Sequence, residues 1–526
     1  MHPDVDVPVA RLPPEILALI FSTLSSTDPP RSKRSRAAHR KRKYKLGWLT
    51  ATHVCQRWRN IALCDPALWA SNIVLPSVLG DRWAAAFVAR AQNVPLTIWC
   101  NDFSSDRPAE ALSDTSFIGA NIATIMHLRT YLYQLRTLCT PAPLLRTLII
   151  KTYDQERLLP DALPVFCGAG GLPELRHLSV ITWEPQNWTP LLLAQLVSVD
   201  MAFLVQLTGA ELASILAPLG RMPALERLSL QVLGPADTSE VPVALLPALR
   251  HLTLGETVNE ALPILAHLAL PAGVRVSCDV NWSEGAADAL PTLFPAMMTC
   301  AHAAAISRVD VTVQLAAAPD CERDVEVCAW RSGQTDGAPA LTVRFSGWTN
   351  LPAVLKPLAS THLEVLAVGG DVPTAAWLGA LESAPGLHHV TVKGGALPAF
   401  CTAFGCAPGF VPALSTLVVN VHAAALAANV LWKTLPRCLA ARARAGNFLK
   451  ALEVVGYGED EACARTLQEA VPGLAIQWSC VSEPEEGDEK GGNKDNDNKA
   501  DFDFSSSQEE EEADSSVDVS ASDVST

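Results

Sequence analysis

The sequence predicts an α+β repeat protein in which a short all-α module precedes an α/β leucine-rich-repeat solenoid and a disordered tail. Amphipathic helical patterns fill residues 11–73, and a Leu-x-x-Leu-x-aliphatic pattern recurs through residues 146–481. Residues 482–526 are polar and strongly acidic. Because 526 residues exceed what one compact core usually holds, an elongated or multidomain architecture is expected.

The first helix is predicted within the stretch RLPPEILALIFSTL. Pro13 and Pro14 restrict the backbone just before Glu15, as is common where a helix begins. The apolar residues that follow have helical spacing and share one face: Ile16, Leu17, Ile20, Phe21 and Leu24. We expect residues 1–10, which precede this helix, to be disordered.

A second amphipathic helix is predicted from Ala51 to Ala62, where apolar residues fall on one arc at helical spacing. Asp65-Pro66 should end it, because proline disfavours helical geometry in its predecessor. Trp69 lies beyond this break and is expected to fold back on Trp58. Two such short helices bury too little apolar area to be stable alone, so the module needs a partner or a neighbouring domain.

The segments LPPEILALIF, HVCQRWRNIAL and DPALW together resemble the F-box, a small helical module. The resemblance implies docking on the Skp-type adaptor of cullin–RING ubiquitin ligases, and Trp58 and Trp69 closing the core of the module, with Trp48 at its border. The residues it assigns to adaptor binding, either directly or through the core, are Leu12, Pro13, Ile16, Leu17, Ile20, Val54, Cys55, Trp58 and Trp69.

The insert RSKRSRAAHRKRKYK, residues 31–45, departs from the F-box pattern, in which a short loop joins the helices. It holds nine Lys or Arg residues and no acid, so we expect a solvated loop. A nuclear-import signal, a nucleic-acid or acidic-partner patch and a contact with the acidic tail stay open as functions. The candidate import residues are Lys33, Arg34, Arg36, Arg40, Lys41, Arg42 and Lys43.

Residues 74–145 are predicted to alternate helix and strand and to link the module to the first repeats. From Pro95 onward, clear and weak copies of the leucine pattern give roughly fifteen strands about 27 residues apart, a spacing typical of leucine-rich repeats. The irregular spacing resembles the divergent repeats behind fungal-type F-boxes. Candidate substrate contacts point out of the sheet: Lys151, His177, Arg227, His251, Arg344, His389, Lys393 and Asn420.

The acidic tail accounts for most of the charge of the chain. Residues 483–526 hold 16 Asp or Glu against three Lys, which is −13 of the net −15 and leaves −2 for the remainder. A broad nucleic-acid surface is therefore not expected. The tail should be disordered. Its candidate phosphorylation sites each have an acid three residues on: Ser506, Ser507, Ser515 and Ser520.

Motifs for enzymatic chemistry are missing from the sequence. We find no phosphate-binding loop, nucleophile elbow, zinc-binding His-Glu-x-x-His or Cys-x-x-Cys pair. We therefore expect a non-enzyme without cofactor or metal. The acidic start MHPDVDVPVA and the lack of a long apolar run indicate no signal peptide and no membrane helix, so a cytoplasmic or nuclear location, or both, is expected.

These features together predict a substrate-recognition subunit of an SCF-type (Skp–cullin–F-box) ubiquitin ligase. Its expected partners are a Skp-type adaptor, a cullin reached through that adaptor, and an unknown protein substrate. Two alternatives stay open: a repeat scaffold without a ligase, and a nuclear protein that binds nucleic acid through the basic insert. An unrecognised hydrolase is a more distant one.

Overall fold

The computed structural model describes the chain from residue 11 to residue 479 with internal gaps. The described residues are 11–33, 43–100, 108–135, 138–151, 171–182, 191–233, 241–256, 258–280, 292–293, 295–299, 306–314, 324–332, 337–346, 351–359, 363–421, 433–456 and 461–479. The segment Val481–Thr526 is a separate unit and lies outside the described residues, as do the predicted phosphorylation sites within it.

The N-terminal region is helical, as predicted. It consists of α1 (Pro14–Thr27), a 3-10 helix (Gly47–His53), α2 (Gln56–Leu63) and α3 (Pro66–Ala70). Proline occupies the first position of both α1 and α3, where the missing N–H leaves no hydrogen bond unmade. The short helix α4 (Pro76–Leu79) and the longer α5 (Asp81–Ala91) follow.

The two ends of the basic insert pair with each other. The sequence predicts only a solvated loop there and gives no sign of this pairing. β1 (Arg31–Lys33) and β2 (Lys43–Lys45) form an antiparallel ribbon. Residues 34–42, which carry most of the candidate import residues, lie outside the described residues.

A large α/β region with a 16-stranded mixed sheet makes up the rest of the described chain. Two further short strands, β9 (Ala244–Leu245) and β11 (Leu268–Ala269), pair apart from it. The sheet strands are β3 (Leu96–Trp99), β4 (Ile125–Tyr131), β5 (Thr147–Lys151), β6 (His177–Thr182), β7 (Ser198–Gln206), β8 (Arg227–Leu233), β10 (His251–Glu256), β12 (Arg275–Val280), β13 (Ile306–Gln314), β14 (Asp324–Arg331), β15 (Leu341–Ser346), β16 (Val365–Gly369), β17 (His389–Lys393), β18 (Thr416–Asn420), β19 (Ala451–Val455) and β20 (Ala475–Ser479).

Strand order follows the chain from β3 to β12 and again from β16 to β20, and neighbours in these two arrays are parallel. Between them the order is β12-β15-β14-β13-β16, with β14 antiparallel to both of its neighbours. The clear copies of the leucine pattern form strands, for example LPELRHLSV at β6 and LPALRHLTL at β10. The pattern missed β7, β14 and β20, because none of the three has the Leu-x-x-Leu spacing.

Helices alternate with many of the strands and cover one face of the sheet. The remaining helices are α6 (Pro108–Asn121), α7 (Leu132–Leu135), α8 (Gly209–Leu219), α9 (Val258–Ala266), α10 (Leu351–Ala359), α11 (Thr374–Ser383), α12 (Ala396–Cys406), α13 (Leu435–Arg444) and α14 (Glu461–Ala470). Alternate strand residues such as Leu228 and Leu230 are buried in one core with the helices, whereas Arg227 and Ser229 lie on the open face.

None of the helices in the described part of the chain combines the length and the apolar character needed to span a membrane.

A buried carboxyl group lies where α4 meets α6. Asp114 is fully buried; its Oδ1 accepts a hydrogen bond of 2.9 Å from the backbone N–H of Ser77. Oδ2 has no hydrogen-bond partner among the described groups. The pKa of Asp114 is raised to about 6, mainly by burial and also by the charge of Asp81, against the opposing effect of the hydrogen bonds from Ser77.

This raised pKa makes the stability of the fold depend on pH. A carboxyl whose pKa is higher in the folded state contributes its full stability below about pH 4, and loses it as the pH rises through about 6. We expect Asp114→Asn to leave the free energy of unfolding unchanged near pH 4 and to raise it by roughly 2 kcal/mol at pH 8. Urea unfolding at both pH values measures this. A difference between variant and wild type that is the same at both would contradict it.

Candidate functional site

Helix α1 has one buried and one exposed apolar side. Leu17 and Phe21 are fully buried, while Ile16, Leu19 and Ile20 are 43%, 65% and 36% exposed. The three exposed residues have i, i+3 and i+4 spacing and therefore lie together on the helix surface. We call Ile16, Leu19 and Ile20 the α1 face. Large exposed aliphatic side chains grouped in this way mark a surface that binds another protein.

Helix α2 begins later than the sequence predicts. The continuous helix expected from Ala51 is wrong, because Cys55 has an extended backbone (φ −155°, ψ 168°) and separates the 3-10 helix from α2. Its Sγ accepts a hydrogen bond of 3.5 Å from the backbone N–H of Trp58 and so caps α2. Val54, just before the cap, is 62% exposed.

An open cleft lies where the start of α1 meets α2. Its volume is about 580 Å³, and it is lined by Pro14, Cys55, Gln56, Arg57, Asn60 and Ile61. The guanidinium group of Arg57 donates a hydrogen bond to the backbone carbonyl of Leu12, which fixes the segment before α1 against α2. The start of α1 and the start of α2, which belong to the two segments with F-box-like sequence, thus meet at one surface.

The structure divides the predicted adaptor-binding residues by burial. Leu17 and Trp69 are 0% and 1% exposed, so neither can touch a partner in this conformation; both belong to the core. Leu12 and Trp58 are partly buried and pack against that core. The exposed members are Pro13, Ile16, Ile20, Val54 and Cys55. Sequence reasoning missed Leu19, although its i+3 spacing from Ile16 was visible.

Three other aromatic contacts replace the predicted packing of Trp69 on Trp58. The Trp58 ring lies edge-on to Phe21, with centroids 5.4 Å apart. Trp69 instead contacts Trp48 (5.1 Å) and Phe87 of α5 (4.9 Å). Trp48, expected at the border of the module, is buried at its centre.

The basic insert is attached to the module by a tight turn at Gly47. The backbone N–H of Trp48 donates to the carbonyl oxygen of Asp28 at 2.8 Å. Gly47 has φ +58°, and a Cβ there would lie 2.3 Å from the same oxygen, so only glycine fits. Lys45 and Asp28 form an exposed ion pair of 2.8 Å beside the turn.

The helical module is joined to the sheet through a shared core. Phe87 of α5 packs on both Trp48 and Trp69, and the backbone N–H of Ile73 donates to Thr97 of β3 at 3.0 Å. Ile73 also forms a parallel bridge with Ile98. The position of the α1 face relative to β3 is therefore fixed by packing and hydrogen bonds rather than by a flexible linker.

The predicted substrate contacts all lie on strands of the open sheet face. His177, Arg227 and His251 begin β6, β8 and β10, and the pairing register brings them into one row. His389 begins β17, where its Nε2 lies 3.2 Å from the Thr391 hydroxyl. The other four lie towards the opposite ends of their strands: Lys151, Arg344, Lys393 and Asn420.

Two residues of the same row escaped the sequence prediction. His127 of β4 and Arg275 of β12 are in register with the row at its two ends. In both strands alternate residues face the open side, and this period-two pattern could have placed His127 and Arg275 on that face. Burial lowers the pKa of His127, His177 and His251, and nearby Arg146, Arg227 and Arg275, respectively, lower it further. These imidazoles are therefore mainly neutral at pH 7.

The described residues hold no group of three His, Cys, Asp or Glu side chains placed to bind one metal ion.

Comparison with known proteins gives one positive finding. A family model for F-box-like domains matches residues 9–72, the segment that contains α1, α2 and α3. No curated protein matches the chain. F-box domains generally bind Skp-type adaptors, and F-box proteins are generally non-catalytic. The match is thus consistent with a role as an adaptor subunit of a ubiquitin ligase.

Proposed function

We propose that this chain is the substrate-recognition subunit of an SCF-type ubiquitin ligase. The α1 face and the start of α2 dock on a Skp-type adaptor, which connects the chain to a cullin. The α/β region, which we propose to be a solenoid of divergent leucine-rich repeats, binds a protein substrate on its open face. The protein acts in the cytoplasm, the nucleus or both.

The observation that carries the proposal is the exposure of the α1 face inside the segment that matches F-box-like domains. A scaffold without a ligase would use its helices only to pack on the sheet region and would have no need of exposed Ile16, Leu19 and Ile20. Together these residues offer apolar area of the kind that dominates helix-in-groove binding.

The proposed mechanism is proximity and requires no chemistry from this chain. Trp48, Trp69 and Phe87 hold the module against the sheet region, so a docked adaptor and a bound substrate are kept at a set separation. Holding a substrate lysine near a ubiquitin-charged enzyme raises the effective concentration of that lysine and so accelerates ubiquitin transfer.

Replacing Ile16 with aspartate is expected to weaken adaptor binding strongly without unfolding the module. Ile16 is 43% exposed, so the charge is solvated in the free protein and becomes costly only when an apolar groove covers it. We expect the affinity for a purified Skp-type adaptor to fall about 100-fold, which pull-down and calorimetry measure.

Ser22→Asp is the matched control, because it places the same charge in an exposed position of α1 about 120° around the helix from Ile16 and about 160° from Ile20, at the margin of the α1 face beside Leu19. It should weaken adaptor binding far less than Ile16→Asp does. Replacing residues 34–42 with a two-residue Asn-Gly turn, which lets β1 and β2 stay paired, should leave binding intact. The proposal fails if wild type does not bind a competent adaptor, or if Ser22→Asp weakens binding as much as Ile16→Asp.

A further inference from the structure

The edge of the open sheet face at which its parallel strands begin is lined with basic residues. The row at this edge consists of His127, His177, Arg227, His251 and Arg275 on β4, β6, β8, β10 and β12. Three more arginines lie directly before β5, β6 and β10: Arg146, Arg176 and Arg250. We call these eight residues the basic edge.

The pairing register fixes the spacing along the basic edge. Arg227, His251 and Arg275 lie on three adjacent strands, so neighbouring backbones are about 4.8 Å apart. The whole row from β4 to β12 covers six such steps, or about 29 Å. A chain crossing the strands at about 3.3 Å per residue would need about nine residues to follow it.

The fixed charge of this edge is positive. Against its five arginines stand Glu174 and Glu226, which pair with Arg176 and Arg250 at 3.9 and 3.8 Å. Asp200 lies on β7 two residues beyond Ser198 of the row, and it accepts a hydrogen bond from Ser179 at 2.9 Å. The exposed guanidinium groups of Arg227 and Arg275 are not in any ion pair recorded among the described residues.

The second half of the sheet is different. There the open-face arginines are neutralised by their neighbours: Arg308 pairs with Asp310 at 2.9 Å, and Arg344 with Glu326 at 2.8 Å. Arg227 and Arg275 thus differ from Arg308 and Arg344, in a chain whose residues 1–482 carry a net charge of only −2.

The surroundings of the basic edge favour a peptide over a nucleic acid. Non-specific binding of single strands uses aromatic side chains on which bases stack. On the described open face from β4 to β12 the large neighbours are aliphatic, Ile149 and Ile181, and Tyr131 is buried. The cations are spread along a line rather than gathered around one point, so they suit charges distributed along a chain better than a single phosphate group.

We infer that the basic edge binds an extended, carboxylate-rich segment of the protein substrate. This assignment rests on the proposed function, since it names the substrate class of the same receptor. Guanidinium groups pair with successive carboxylates, while the histidines and the hydroxyl groups of Thr147 and Ser198, which lie in the same row, donate or accept hydrogen bonds between them.

The test uses the full chain and a fluorescein-labelled peptide of about ten residues with alternating Glu and Ser, followed by fluorescence anisotropy. We expect binding that weakens as salt is added, and at least about tenfold weaker binding by Arg227→Glu/Arg275→Glu. The control Lys356→Glu/Lys450→Glu makes the same change of charge at exposed lysines outside the basic edge. It should bind the peptide within about twofold of wild type.

Four results would overturn the inference: equal loss in both double variants, equal binding of a peptide with Gln in place of Glu, tighter binding of single-stranded RNA, or at least tenfold tighter binding of a phosphoserine peptide. Adaptor capture by the same proteins separates the two proposals. Peptide binding that fails while the adaptor is captured removes this inference alone. The reverse result removes the ligase role and leaves the basic edge as a site for carboxylate-rich segments.

Discussion

Replacing Trp69 with alanine is expected to lower the free energy of unfolding by about 3–5 kcal/mol. The side chain is 1% exposed and touches the rings of Trp48 and Phe87 at centroid distances of 5.1 and 4.9 Å. Its Nε1–H donates a 2.7 Å hydrogen bond to the carbonyl of Ala62, and Arg90 lies 4.3 Å above the ring. Alanine removes all of these contacts and leaves a cavity between the module and α5.

Trp83→Ala is the matched control for this change. Trp83 lies on α5 as well but is 37% exposed, so its removal should cost less than about 1 kcal/mol. Urea unfolding followed by circular dichroism compares the two variants. Equal losses would contradict the shared core. Because Trp69 joins the module to the sheet region, its variant should also shift the unfolding of the sheet signal rather than melt the helices alone.

The second large effect is expected at Arg442 of α13, which is 1% exposed. Its guanidinium donates hydrogen bonds to the carbonyls of Phe410 at 2.5 Å, Val411 at 2.9 Å and Pro408 at 3.4 Å. It also lies 4.5 Å above the ring of Phe404. Burial lowers the pKa of Arg442 to about 10, so it stays charged at neutral pH.

Arg442→Met should lower the free energy of unfolding by roughly 3 kcal/mol, because several buried carbonyls lose their donor. Val411 has φ +52°, a costly conformation for a β-branched residue, and the hydrogen bond from Arg442 helps to hold it. Arg442→Lys should recover only part of the loss, since one ammonium group cannot serve the same fork of acceptors.

Arg444→Met provides the control, because Arg444 is exposed on the same helix. Thermal unfolding and urea titration should place it close to wild type. The assignment of Arg442 as the residue that organises the 408–411 loop fails if Arg442→Met is as stable as Arg444→Met.

Much of the fold was predictable because it depends on local pattern. The period-two endings of the leucine copies predict strands, and each copy forms one. The break at Cys55 was not predictable from periodicity, since the apolar arc runs unchanged through it. The antiparallel course of β14 was also invisible, because alternation gives the faces of a strand and not its direction or its neighbours.

The sequence predicted which residues belong to the candidate site, but not which of them are exposed for binding and which are buried in the core. Ile16 and Leu17 are adjacent and carry the same apolar signal, yet one is 43% exposed and the other fully buried. That difference comes from tertiary packing, which places Leu17 in the buried core that also holds Trp48. The basic edge could not be predicted without the register between strands. The register relates residues far apart in the chain, so no short stretch of sequence reveals it.

The strand order around β14 has a consequence for how the protein is made. During synthesis on the ribosome, the edge of β12 emerges long before its neighbour β15, with residues 281–340 in between. β13 and β14 emerge first, but they pair with each other and leave that edge open. The nascent first array must therefore wait with an unpaired edge, exposed to pairing with other nascent chains, until Ser346 has left the exit tunnel.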